Sequence, residues 1–164
     1  MSQVAVTDNS MTLQADKIIN RYTLVAAGVG VLPSPTANSV GIAALELIMI
    51  DELARNYKFP FPTKLAALKI LVSVIGSIGP VYFALKSKAA VSAIPIVGHL
   101  IASSIYSLTG AISVYAVGKL FQRHFESDGT FLSKDNKYLQ KAFKHEYEKG
   151  TKVIPVLISN HNTN

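Results

Sequence analysis

The sequence predicts an all-α protein, in which helical hairpins pack as a bundle embedded in a membrane and a basic amphipathic helix follows at the C-terminus. Three observations lead to this fold class. Only 16% of the 164 residues are charged, whereas soluble domains carry about 25%. Charges are sparse between residues 22 and 118, and prolines and glycines divide that stretch into apolar pieces of helical length.

The N-terminal part predicts a lead followed by a first pair of helices. Residues 1–11 are polar and are expected to be disordered, and Thr12 is the predicted N-cap of the first helix. Pro33 and Pro35 interrupt the helical pattern, because proline lacks an N–H and clashes with the preceding turn. The second helix is predicted over 38–56. Both apolar stretches are shorter than the roughly 20 residues of a membrane span, so the pair is a re-entrant hairpin, an interfacial pair or the core of a soluble lobe.

Two longer apolar runs follow and are the candidate membrane spans. The first, over 65–85, reaches the required length if Lys69 extends its amine to the headgroups. The second, over 96–118, passes the length test unaided. Lys86 and Lys88 are the cations between the two runs, and more cations lie outside them. Because positive residues favour the cytoplasmic side, the expected location is the cytoplasmic (inner) membrane, with both termini facing the cytoplasm.

The C-terminal segment has a different pattern. Apolar residues recur at helical spacing after Ser133, the predicted N-cap, and lysines cover much of the remaining surface, which is typical of a basic amphipathic helix. Lys137, Lys141 and Lys144 are the candidate residues for binding a membrane surface, where each well-placed cation contributes about 1 kcal/mol. No aromatic and basic motif indicates nucleic-acid binding. The predicted divisions are a disordered lead over 1–11, a helical membrane-associated domain over 12–132, and the amphipathic helix with its polar tail over 133–164.

Two ionisable residues lie within apolar surroundings and form a candidate intramembrane polar site. Glu46 is predicted to be a partly exposed helix carboxylate, although it can also pair with a lysine of a neighbouring helix or line a polar seam. His99 is the one readily ionisable side chain between residues 89 and 118. In lipid such a residue is a functional candidate, whereas in a packed bundle it is more often a neutral, hydrogen-bonded core residue.

No catalytic, cofactor or metal motif stands out in the sequence. The chain has no cysteine, which excludes disulfides, thiolate metal sites and cysteine nucleophiles. His124, Glu126 and Asp128 alternate, so they do not share one helix face, and we interpret them as a solvated helix terminus. Gly28 and Gly30 lack the rest of a phosphate-binding loop. We therefore expect that the protein is not an enzyme and carries no cofactor.

A family resemblance is carried by four segments, which are YTLVAAGVGVLPSP at 22–35, LELIMIDELARNY at 45–57, IPIVG at 94–98 and HFESDGTF at 124–131. In this order they resemble the YcjF-type family of unknown function, over roughly residues 15–135. Its members look like bacterial membrane-associated helical domains, many of them attached to or encoded beside small GTPases of the Era type. Asn38 and Asp128 depart from the pattern, where an acid and a glycine are expected. The resemblance implies that any GTPase partner is a separate chain.

The expected function is that of a membrane-anchored helical adaptor, which recruits a GTPase or a larger assembly to the cytoplasmic membrane. Its expected partners are the lipid bilayer, that separate protein, and further copies of the chain in a homo-oligomer. One alternative is an oligomeric pore or channel, in which Glu46 or His99 lines the path. A second alternative is a soluble helical bundle that binds a lipid or another ligand.

Overall fold

Four α-helices and one short 3₁₀ turn make up the described part of the chain. The computed structural model describes residues 2–29, 35–60 and 98–162, with side chains over 9–28, 40–60 and 107–161. The elements in chain order are α1 (Ser2–Val29), α2 (Pro35–Asn56), α3 (Gly98–Glu126), the 3₁₀ turn Phe131–Ser133 and α4 (Asn136–Asn162). These ranges contain helices and no strand, so the all-α prediction is confirmed.

Helix α3 is the central element, because it packs against α1, α2 and α4. Lys119 of α3 contacts Asp16 of α1, and Ser107 contacts the carbonyl of Ala27, so these two helices are antiparallel. Helix α2 runs parallel to α3, as the contacts of Glu46 with Ser113 and of Tyr57 with Glu126 show. The chain therefore leaves α2 at one end of the bundle and enters α3 at the other.

The apolar core lies between α1, α2 and α3 and continues between α3 and α4. Ile19, Met49 and Phe121 are among its largest fully buried side chains. Helices α1 and α3 approach closely at Gly118, where an added Cβ would lie 2.8 Å from Ile19 Cγ1. Burial of this kind stabilises a fold by about 25 cal/mol per Å² of apolar surface. The bundle is therefore held mainly by the packing of apolar helix faces.

The turn after α3 contains a glycine, Gly129, with a left-handed backbone conformation. Gly129 has a φ of 78° and donates its N–H to the carbonyl of His124 at 2.9 Å. Its missing Cβ also leaves room for Phe59, since an added Cβ would lie 2.5 Å from Phe59 Cζ. Asp128, where the resemblance expects glycine, has a φ of 50°. Both positions thus adopt the left-handed conformation that glycine favours.

Two predicted helix starts are wrong. Helix α1 begins at Ser2 instead of after Thr12, so residues 2–11 are helical and not a disordered lead. They contain no proline or glycine that would stop a helix. Asp135, and not Ser133, caps α4, because its Oδ1 accepts the N–H of Lys137 at 2.6 Å. Helix α4 then continues through Pro155 and includes the apolar run over 153–158, whose conformation the sequence left open.

The predicted membrane spans fall partly outside the described residues. The run over 65–85 lies wholly outside them, as do the first two residues of the run over 96–118. The rest of that second run belongs to α3, where residues 111–118 are buried by the neighbouring helices apart from Ser113, which is half-buried. Within the ranges that the structure describes, no helix combines the length and the apolar character needed to cross a membrane.

Candidate functional site

Helix α4 presents a row of lysines on its outer surface. Lys137, Lys141, Lys144 and Lys152 are exposed, and because they recur at multiples of three or four residues they share one side of the helix. We call these four residues the lysine face. Glu148 is the acid within this row, with its Oε1 3.9 Å from Lys144 Nζ. The three lysines that the sequence singled out therefore point into solvent together.

The opposite side of α4 is buried on α3. Leu139, Phe143 and Ile154 are all buried there. Gly150 allows close approach of the two helices, since an added Cβ would lie 3.0 Å from Ile112 Cγ2. The apolar face of the predicted amphipathic helix is thus occupied by protein. The lysine face remains open to a partner.

Glu146 is a buried acid on α4, although the polar composition of this helix suggests a place on its solvated side. Its side chain is 3% exposed, and its Oε1 lies 2.5 Å from Arg123 Nη2 and 3.2 Å from Lys149 Nζ. The ion pair with Arg123 links α4 to α3. Helical spacing was the available signal, because Glu146 follows Leu139 and Phe143 at seven and three residues, on the same buried face.

Glu46 is buried at the contact between α2 and α3, so the prediction of a partly exposed carboxylate is wrong. The residue is 4% exposed. The hydroxyl of Ser113 donates to Glu46 Oε1 at 3.1 Å. Burial raises the pKa of the Glu46 carboxyl from 4.5 to about 8, although the hydrogen bond from Ser113 acts in the opposite direction. Among the interpretations left open at the sequence level, the arrangement fits a polar seam between helices.

The structure does not bring His99 and Glu46 together along the helix axis. The backbone of His99 lies in the first turn of α3, whereas Glu46 contacts Ser113. At about 1.5 Å per residue the two positions on α3 are roughly 20 Å apart. The side chain of His99 lies outside the described residues. The two candidate polar residues therefore lie at different levels of the bundle.

His124 is packed among aromatic rings rather than solvated at a helix terminus. Its ring lies within 5.7 Å of the Phe59 ring, centroid to centroid, and also contacts Phe121 and Phe125. His124 Nδ1 accepts the N–H of Leu132 at 3.3 Å, and burial lowers the pKa of the imidazole. The ring thus joins the end of α3 to the 3₁₀ turn. The described residues contain no group of histidine and carboxylate side chains suited to holding a metal ion.

Comparisons with known proteins place the chain in a family. A family model described as "Domain of unknown function (DUF697)" matches residues 4–152. Magnetosome membrane protein 22 of Magnetospirillum gryphiswaldense is 28% identical over 141 residues, which are 84% of this chain and 71% of that protein. No solved structure matches the chain. The family match covers most of the sequence, and the chain therefore belongs to the DUF697 family of unknown function.

Proposed function

We propose that this protein is a membrane-associated helical adaptor, held at an anionic lipid surface by the lysine face of α4. The observation that carries the proposal is the orientation of α4, whose apolar side is buried on α3 while Lys137, Lys141 and Lys144 point outward. The similarity to a protein named as a magnetosome membrane protein supports a membrane-associated role.

Electrostatic attraction supplies the binding energy in this proposal. Three lysines at about 1 kcal/mol each provide on the order of a hundredfold in affinity for an anionic membrane. The net charge of +6 adds a longer-range attraction. Because salt screens exposed charges beyond about 10 Å at 0.1 M, binding should weaken steeply as ionic strength rises.

The adaptor role requires a second surface for a protein partner. Helix α4 packs mainly on α3, so within the described part of the chain it does not cover the outer sides of α1 and α2. Val25, Val40 and Ile48 are exposed there. We assign the recruitment of the partner, a GTPase or a larger assembly, to this side. The membrane is the cytoplasmic one, with the termini on its cytoplasmic side, since anionic lipids concentrate in that leaflet.

Vesicle co-sedimentation tests the lipid contact. The full chain should bind phosphatidylcholine vesicles containing phosphatidylserine and should not bind phosphatidylcholine alone. Replacing Lys137, Lys141 and Lys144 with glutamine should weaken binding by on the order of a hundredfold at low salt. The matched control carries three charge-removing changes on other exposed residues, K17Q, R55Q and K58Q. Equal losses in the two triple variants would mean that net charge alone drives binding, and the lysine face would lose its role.

The same vesicles separate the adaptor from its alternatives. An adaptor bound to the surface should leave an encapsulated dye inside the vesicles, whereas a pore should release it. A soluble ligand-binding bundle should remain in the supernatant with either lipid composition. Dye release that is lost on Glu46→Gln would replace the adaptor by the pore.

A further inference from the structure

Helices α2 and α3 meet in a tight seam around Glu46. Ile42 and Met49 lie one turn to either side of Glu46 on α2, and each faces a glycine of α3. An added Cβ at Gly110 would lie 3.0 Å from Ile42 Cδ1, and one at Gly118 would lie 3.2 Å from Met49 Sδ. Contacts this short mean that the two helices are in direct van der Waals contact on both sides of the carboxyl. The Glu46 carboxyl is therefore almost fully shielded from water while α2 and α3 stay in contact.

Among the residues that the structure describes, the seam offers the carboxyl one hydrogen bond and no cation. Ser113 is the polar residue that faces it from α3, and it is not ionisable. No ionisable side chain described on α1 or α3 lies close enough to change the pKa of Glu46. Four of the five lysines and arginines described on the three helices are engaged elsewhere, in the pairs Lys119–Asp16, Arg21–Glu52, Arg55–Asp51 and Arg123–Glu146. The fifth, Lys17, is exposed. An ionised carboxylate without a cation in such a place is strongly disfavoured.

We propose that Glu46 is a proton-binding site that couples proton uptake to the closure of α2 against α3. With the carboxyl protonated, the seam is free of charge and closes. When α2 separates from α3, water hydrates the carboxyl, the O–H bond breaks and the proton passes to water. The site needs no lipid or partner, so it stands independently of the proposed adaptor function.

Hydrogen exchange read by mass spectrometry tests the coupling on the full-length protein. The exchange rate of an unstructured peptide at the same pH is divided by the measured rate. The ratio is the protection, which reports the equilibrium between the closed and open states of the helix. Because opening releases one proton, protection of the α2 amides should fall about tenfold per pH unit between roughly pH 5 and 8. The α4 amides should keep constant protection over this range. The expected result is thus a pH dependence confined to α2.

Two variants and one control complete the experiment. Glu46→Gln keeps the shape of a protonated carboxyl and should make protection of α2 independent of pH. Ser113→Ala removes the hydrogen bond that favours the ionised form, so the decline should continue to higher pH, and this variant keeps the proposal testable if the first does not fold. Glu52→Gln removes a partly exposed carboxylate of the same helix and should behave as wild type. A pH-independent α2 in the wild type, a decline shared by α4, or an unchanged decline in Glu46→Gln would each overturn the proposal.

Discussion

Two glutamates, Glu46 and Glu146, are buried to nearly the same degree, yet their surroundings differ completely. Glu46 is 4% exposed and Glu146 is 2% exposed. Glu46 has a serine hydroxyl as its partner in the α2–α3 seam. Glu146 has the guanidinium of Arg123 and the amine of Lys149 at the α3–α4 contact. Burial by itself thus does not decide whether a carboxyl is charged, because nearby cations offset the loss of water around the ion.

The largest expected effect concerns Glu46. The pKa of the Glu46 carboxyl is about 8 in the folded protein, above the ordinary value of 4.5 that applies to the unfolded chain. The folded protein therefore holds the proton more tightly than the unfolded chain. The contribution of Glu46 protonation to the free energy of unfolding is complete below pH 4.5 and is lost progressively as the pH rises to 8. One pKa unit corresponds to about 1.4 kcal/mol, so Glu46→Gln should gain about 4 kcal/mol relative to wild type between pH 4.5 and 8. Urea unfolding at both pH values measures the gain, and a constant difference would contradict this account of Glu46.

The matching test at the other glutamate removes a cation. Arg123→Met leaves the buried carboxylate of Glu146 with Lys149 alone and should cost about 2 to 3 kcal/mol in the free energy of unfolding. The double variant Arg123→Met/Glu146→Leu removes both charges and should recover most of this loss, because an apolar pair suits a buried contact. Denaturant unfolding measures all three proteins. A double variant as unstable as the single one would show that the ion pair itself holds α4.

Thr23 of α1 extends the comparison to a buried polar group that carries no charge. Its hydroxyl is fully buried and has no hydrogen-bond partner in the described residues. Thr23→Val keeps the shape and removes the unsatisfied group, so it should raise the free energy of unfolding by about 1 kcal/mol. Thr151→Val, on the exposed side of α4, is the control and should change stability by less than about 0.5 kcal/mol. A destabilised Thr23→Val would mean that the hydroxyl has a partner after all.

The smallest expected effect concerns Lys149, the second cation beside Glu146. Lys149 is 48% exposed and lies on the same helix as Glu146. Water screens such a pair, so Lys149→Gln should cost only about 0.5 kcal/mol. The loss should shrink further in 1 M salt. A cost equal to that of Arg123→Met would show that Lys149 neutralises the carboxylate as much as Arg123 does.

The contrast between the two glutamates also marks what the sequence could predict. Helical spacing and turn residues predicted helices over 38–56, over 96–118 and after Ser133, and the structure contains helices in these regions. The row of Lys137, Lys141 and Lys144 was equally visible. These features depend on local chemistry, which a sequence displays directly.

The remaining features depend on which helix faces which. An apolar face looks the same in sequence whether it meets lipid or another helix, so the burial of residues 111–118 by neighbouring helices was not predictable. The surroundings of Glu46 and of Glu146 come from residues 67 and 23 positions away, respectively. The start of α4 was predicted wrongly for a simpler reason, since Ser133 and Asp135 are both residues that favour the N-cap position. A sequence pattern did not separate them.

The antiparallel contact of α1 with α3 has a consequence for synthesis of the chain. Asp16 and Lys119 are 103 residues apart, so α1 leaves the ribosome long before its main packing partner exists. At about 5 to 20 residues per second the delay is on the order of 5 to 20 seconds. Ile18 and Ile19 lack their final contacts during that interval. The side of α1 that packs against α3 therefore stays uncovered until translation delivers that helix.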